Sequence, residues 1–262
     1  MSFSKSELAD LSRAKALLEN PGLAAKIASV LGTPIEKAFA LLPAKWNRTI
    51  HKVSEAALKK ALDVAVKSLG AEPRYSSHER IHKIAAAASG AAGGVFGLSA
   101  LAIELPISTT IMLRSIADIA KSEGENIQLI DTKLACLTVF ALGGKSNNAA
   151  ALESDYFAVR AALAEAVGEA SKFLAQKGLS KAGAPALVRL ITVVASRFGV
   201  VVSEKAAAQA FPVIGAAGGA LVNTLFIGHF QDMARGHFIV RRLEALYGKE
   251  VVMTAYQEID LA

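Results

Sequence analysis

The stretch SGAAGGVFGLSALAIELPISTTIMLRSIADIAKSEG, residues 89–124, decides the fold class. Between Lys83 and Lys121 the only formal charges are Glu104, Arg114 and Asp118. Residues 84–103 carry none, and twenty uncharged residues are the length a helix needs to cross a bilayer. Composition pulls the other way, because alanine and glycine contribute little transfer free energy and suit close helix packing instead. Pro106 then interrupts the segment and predicts a kink or hairpin, after which ISTTIMLRSIADIAKSEG resumes helical spacing.

A second such segment is KAAAQAFPVIGAAGGALVNTLFIGHF, residues 205–230. GAAGG stands at 90–94 and again at 215–219. Gly90 with Gly94, and Gly215 with Gly219, place small residues one turn apart, which lets another helix backbone approach. Whether 84–103 and 206–228 span a bilayer or form a soluble core stays open at this level.

Helix signals are dense elsewhere and strand signals nearly absent. Asn20-Pro21 and Thr33-Pro34 place an N-cap before a first-turn proline, and Thr33 with Glu36 and Ser76 with Glu79 read as capping boxes. Residues 45–70 carry Ile50, Val53, Ala57, Leu58, Ala61, Leu62, Ala65 and Val66 on one stripe, with lysines opposite. The expectation is one all-α domain over 1–262 of roughly ten helices. Short helices occupy about 1–70, and a core over about 76–262 has the two Ala/Gly-rich segments packed at its centre.

The chain has 262 residues, 53% hydrophobic and 20% charged, with a net charge of +6. Mean hydropathy is +0.38 and the pI is about 9.4. The basic balance favours an anionic partner, a lipid or membrane surface. Nucleic acid is not expected, since lysines and arginines are scattered, aromatics are few and no binding-module motif occurs. Cys136 is the sole cysteine, which forbids an intrachain disulfide, and its apolar setting reads as a small buried hydrophobe. The N-terminus has no apolar core region of a secretory signal. The expected location is cytoplasmic, peripheral to a membrane or partly inserted in it.

Two constellations carry chemistry. His78-Glu79-Arg80-Ile81-His82 matches H-E-x-x-H, in which two histidines one turn apart hold zinc and the glutamate is the general base. Against it, Arg80 and Lys83 charge a helix that peptidases bury, and Glu79 already serves the capping box. In a continuous helix Glu104 lies about 33 Å from His82, too far to be a third ligand. Zinc is the one cofactor the residues suggest, and none is expected otherwise. The second constellation is Glu104, Arg114, Asp118 and Asn223, polar groups in apolar surroundings where an unpaired charge is costly. They form either a network that fixes helix register or a ligand site. In the tail, Arg235, Arg241 and Arg242 flank an apolar stripe, as in helices that rest on anionic membranes.

Three blocks, NPGLAAKIASVLGTPIEKAFALLP (20–43), residues 89–124 and FPVIGAAGGALVNTLFIGHFQDMARGHFIVRRLEALYG (211–248), resemble the EcsC family of bacterial proteins in content and order. The resemblance implies an all-α fold. The family's namesake is encoded beside an ABC transporter, which implies a membrane transport system as a partner. The leading expectation is a non-enzymatic, membrane-associated, lipid-binding protein in envelope or transport physiology. A zinc-dependent hydrolase using residues 78–82 is one alternative, and a soluble carrier of an apolar ligand is another.

Overall fold

The computed structural model describes residues 3–19, 22–32, 46–69, 101–144, 156–177, 184–209 and 215–260. Those residues form nine helices and no strand: α1 (Lys5–Glu19), α2 (Leu23–Leu31), α3 (Trp46–Ser68), α4 (Leu101–Ser122), α5 (Ile130–Leu142), α6 (Tyr156–Lys177), α7 (Pro185–Gln209), α8 (Gly215–Tyr247) and α9 (Lys249–Glu258). The all-α expectation holds. His78, Glu79, His82, Gly90 and Gly94 lie outside the described residues, as does most of 84–103.

Local chemistry sets several helix ends. Ser4 and Glu7 form a capping box, with the Ser4 amide donating to Glu7 Oε2 at 2.8 Å and the Glu7 amide to Ser4 Oγ at 3.3 Å. Helix α3 follows its amphipathic pattern: Ile50, Ala57, Leu58, Ala61, Leu62 and Ala65 are buried, while Lys52, Lys59 and Lys60 are exposed. Helix α4 runs unbroken through Pro106, so the expected hairpin is not there.

Helix α5 occupies the centre. Every residue from Thr132 to Leu142 is buried, because α3, α4, α6, α7 and α8 all pack around it. A helix apolar on every side belongs to a core. Phe140 of α5 meets Phe198 of α7 and Phe230 of α8, with ring centroids 5.1 and 5.3 Å apart. Phe226 of α8 completes the cluster, 5.3 Å from Phe230. Arg197 of α7 closes the C-terminal end of α5, donating to the Ala141 and Gly144 carbonyls at 2.9 and 3.0 Å. Among the described residues α7 alone is long and apolar enough to cross a membrane. Here it packs against α2, α3, α5, α6 and α8.

Helix α8, 33 residues and about 50 Å long, is the spine. It touches α1, α2, α4, α5, α7 and α9. Its apolar C-terminal stripe faces inward: Phe238, Ile239, Val240 and Leu243 are buried. Helix α1 crosses at Gly236, where an added Cβ would sit 2.6 Å from Leu18 Cγ and 3.0 Å from the Ala14 carbonyl oxygen. Gly248, at φ 87°, turns the chain into α9 in a conformation that glycine adopts without strain. Lys15 of α1 pins that corner by donating to the Tyr256 and Ile259 carbonyls at 3.0 and 2.6 Å.

Two glycines of α8 therefore answer differently to the same change. Gly236→Ala pushes α1 outward and is expected to cost about 1–3 kcal/mol in urea denaturation. At Gly228 a Cβ would meet nothing within 4 Å, and Gly228→Ala is expected to stabilise by up to about 1 kcal/mol through helix propensity. Equal responses would remove the close α1–α8 crossing.

Candidate functional site

The fold gathers polar groups at two places. The first joins α4, α7 and α8 through Lys205, which is fully buried. Its ammonium donates to Glu104 Oε1 and Oε2 at 2.9 and 2.7 Å and to Asn223 Oδ1 at 2.7 Å. It also lies 4.5 Å from the centre of the Phe226 ring. Burial pulls the ammonium below its ordinary pKa, opposed by the charge and hydrogen bonds of Glu104. An ammonium has three protons to donate, and all three acceptors are in place. This is a satisfied junction.

The second place is a cleft of about 530 Å³ walled by α5, α6, α8 and α9. One face of α6 supplies most of the apolar wall, through Phe157, Ala161, Ala164, Val167 and Gly168. A Cβ at Gly168 would meet nothing within 4 Å, so small side chains along α6 leave this space open. At the α8 wall stand His237, Arg241 and Glu244. Arg160 of α6 bridges to Glu244 with two parallel bonds of 2.7 and 2.8 Å. The same guanidinium reaches the Tyr156 hydroxyl at 3.2 Å, and that hydroxyl lies 2.8 Å from His237 Nδ1. Burial, reinforced by Arg160 and Arg241, holds the His237 imidazole well below its usual titration range, so the ring is neutral. Burial also pushes the Tyr156 phenol up, which keeps it protonated. His237 Nε2 is buried and has no hydrogen-bond partner among the described residues.

The sequence profile of the EcsC protein family matches residues 5–243. The chain belongs to the EcsC family. No curated protein and no solved structure matches it.

Of the residues expected from sequence, this EcsC protein brings Glu104 and Asn223 together and leaves Arg114 and Asp118 apart from them. Arg114 is exposed and Asp118 half-buried. The cause is the continuous α4: ten residues on, Arg114 is about 15 Å along the axis and about 80° round it from Glu104. Lys205 is the partner that sequence reading missed. The tail arginines also differ from expectation. Arg241 Nε donates to Glu125 at 2.6 Å, and Arg242 binds Asp10 at 2.7 Å and Glu123 at 3.2 Å. Both lie half-buried and tie α8 to the rest of the protein, so they do not form an open basic face. Arg235 is half-buried on the same helix. Gly215 opens α8, and Gly219, one turn on, is buried. Among the described residues no group of three or more His, Cys, Asp or Glu is arranged to hold a metal ion.

Glu204, beside Lys205, is a buried acid with a separate task. Its Oε2 accepts from the Ala24 amide at 3.1 Å, in the first turn of α2. Burial raises its pKa to about 7 despite that bond. A carboxyl raised in the folded state binds its proton more tightly there than when unfolded, so stability falls as pH rises from the ordinary glutamate value through about 7. The stability advantage of Glu204→Gln over the parent is expected to grow by about 2 kcal/mol between pH 5 and pH 8. A pH-independent difference would show that Glu204 is solvated. At the junction, Lys205→Met leaves Glu104 buried without its counter-charge and is expected to cost about 3–5 kcal/mol in urea denaturation. The double variant Lys205→Met/Glu104→Leu should recover most of that loss, and purely additive costs would break the pairing.

Proposed function

We propose that this EcsC protein is a non-enzymatic lipid-binding protein, working on the cytoplasmic side at an anionic membrane surface in envelope or transport physiology. The observation that carries the reading is the cleft. Its volume falls within the range of about 300–1,000 Å³ found for small-molecule sites. Its wall on α6 extends from Phe157 to Gly168, about 16 Å along the helix axis, and is mainly apolar. An apolar wall on α6 facing polar groups on α5, α8 and α9, Asp131, Arg241 and Lys249 among them, suits an amphiphile. The ionisable groups at the wall also support binding over catalysis. Arg160 and Glu244 are spent on each other, and His237 lies against a phenol that burial keeps protonated. Arg241 and Arg242 do not support the reading, because both bind carboxylates within the chain.

Protein purified without detergent tests this directly. Organic extraction followed by mass spectrometry is expected to release acyl lipid at close to one molecule per chain. In flotation, the chain is expected to rise with phosphatidylglycerol vesicles more than with phosphatidylcholine vesicles at low salt. A lipid-free extract from a chain that floats with neither overturns the proposal.

A further inference from the structure

The chain has a net charge of +6, and its cations are not all neutralised in the same way. Arg160, Arg189, Arg241 and Arg242 each meet acids from elsewhere in the chain. Helix α3 differs. It holds five lysines and arginines against two acids, a net of +3. Both acids are engaged close by: Asp63 pairs with Lys67 at 2.6 Å, and Glu55 accepts from Thr192 of α7 at 3.2 Å. Arg48, Lys52, Lys59 and Lys60 are exposed, with no hydrogen-bond or ion-pair partner among the described residues.

Helix geometry makes these four act together. Arg48, Lys52 and Lys59 fall within about 40° round the axis, Lys60 lies about 80° further round, and the set spans about 18 Å along it. The other side of α3 is buried through Ile50, Leu58, Ala61 and Ala65 against α4, α5 and α7, so the cations stand on a fixed edge. A merely solvated face intersperses both signs, whereas a row of one sign on a rigid element attracts a polyanion. Within that arc stand Thr49 and Ala56, exposed and small, and no aromatic ring on which a base could stack. A phospholipid surface asks only for cations in one plane.

We infer that this edge of α3, through Arg48, Lys52, Lys59 and Lys60, is the face that docks the protein on anionic phospholipid, which rests on the membrane-surface part of the proposed function and adds the face. The variant Arg48→Gln/Lys52→Gln/Lys59→Gln/Lys60→Gln is compared with Lys5→Gln/Arg13→Gln/Lys121→Gln/Lys172→Gln, which removes the same charge from exposed positions on α1, α4 and α6. All eight side chains are exposed, so both variants are expected to keep the parent's thermal unfolding midpoint. Co-sedimentation with phosphatidylglycerol vesicles at low salt is expected to fall at least about tenfold in affinity for the α3 variant and less than about threefold for the control. Added salt should weaken the parent steeply and the α3 variant hardly at all. Equal losses in the two variants, or unchanged binding by the α3 variant, would overturn the face and leave the membrane reading standing. Equal affinity of the parent for phosphatidylglycerol and phosphatidylcholine vesicles overturns it as well. Tighter binding of the parent to a single-stranded RNA oligonucleotide than to phosphatidylglycerol, at equal phosphate concentration, overturns lipid as the partner of this face. A parent that sediments with neither vesicle overturns the face, and the broader reading falls with it only if the organic extract is also lipid-free.

Discussion

Lys205 gives its three ammonium protons to Glu104 and Asn223, and that junction ties α4 to the consecutive helices α7 and α8, about a hundred residues further along the chain. Placing two charges in an interior gains little net free energy, because desolvation offsets most of their attraction. The consequence is felt in the alternatives. A slip of α7 by one residue turns Lys205 by about 100° and leaves two buried charges apart. The aromatic cluster of Phe140, Phe198, Phe226 and Phe230 lies between the same α7 and α8, and it is tolerant by comparison, since apolar cores repack around altered side chains. The polar junction therefore specifies one register, and the aromatic rings supply the burial that stabilises it.

Much of the fold was legible because it rests on local rules. The stripe of Ile50, Ala57, Leu58 and Leu62 foretold α3, and LACLTVFAL, apolar throughout, is the helix that others surround. Glu104 and Asn223 were legible as polar residues in apolar company. Lys205 was not, because SEKAAAQ has the composition of a solvated helix face and no periodicity separates the two cases. Arg114 was misplaced for a different reason. A kink or a hairpin was expected at the proline, and the hairpin would have brought Arg114 back; α4 instead continues through Pro106, and the Thr110 hydroxyl donates to the Pro106 carbonyl at 2.8 Å. The tail misled through a real property, its basic amphipathic pattern. The apolar side is covered by the chain itself, and Arg241 and Arg242 meet carboxylates contributed from before α5 and from α1.

The cleft had no signature of its own. Residues 156–177 read as an alanine-rich helix with mixed charges, and alanine on a helix surface ordinarily signifies nothing. Only the placement of α5, α8 and α9 beside it turns Ala161, Ala164 and Gly168 into a wall that stands back from its neighbours. The polar wall is equally nonlocal. Tyr156 and His237 are 81 residues apart in sequence, Arg160 and Glu244 are 84 apart, and each is an ordinary residue until the helices meet. Family membership over residues 5–243 covers α1 to most of α8 and ends before α9, which supplies Lys249, Glu250 and Met253 to the cleft.

The two polar constellations differ in how fully their donors and acceptors are met. Folding selects against a buried donor or acceptor that finds no partner, since its desolvation is not returned. Lys205 meets that demand in full. Among the described residues, the bonds from Arg160 through Tyr156 to His237 meet it at every step but the last. Elsewhere on α8 Gln231 ends on Ser115 at 2.7 Å, whereas Ser54 Oγ and Thr109 Oγ1 share with His237 Nε2 a buried position that meets no partner among the described residues.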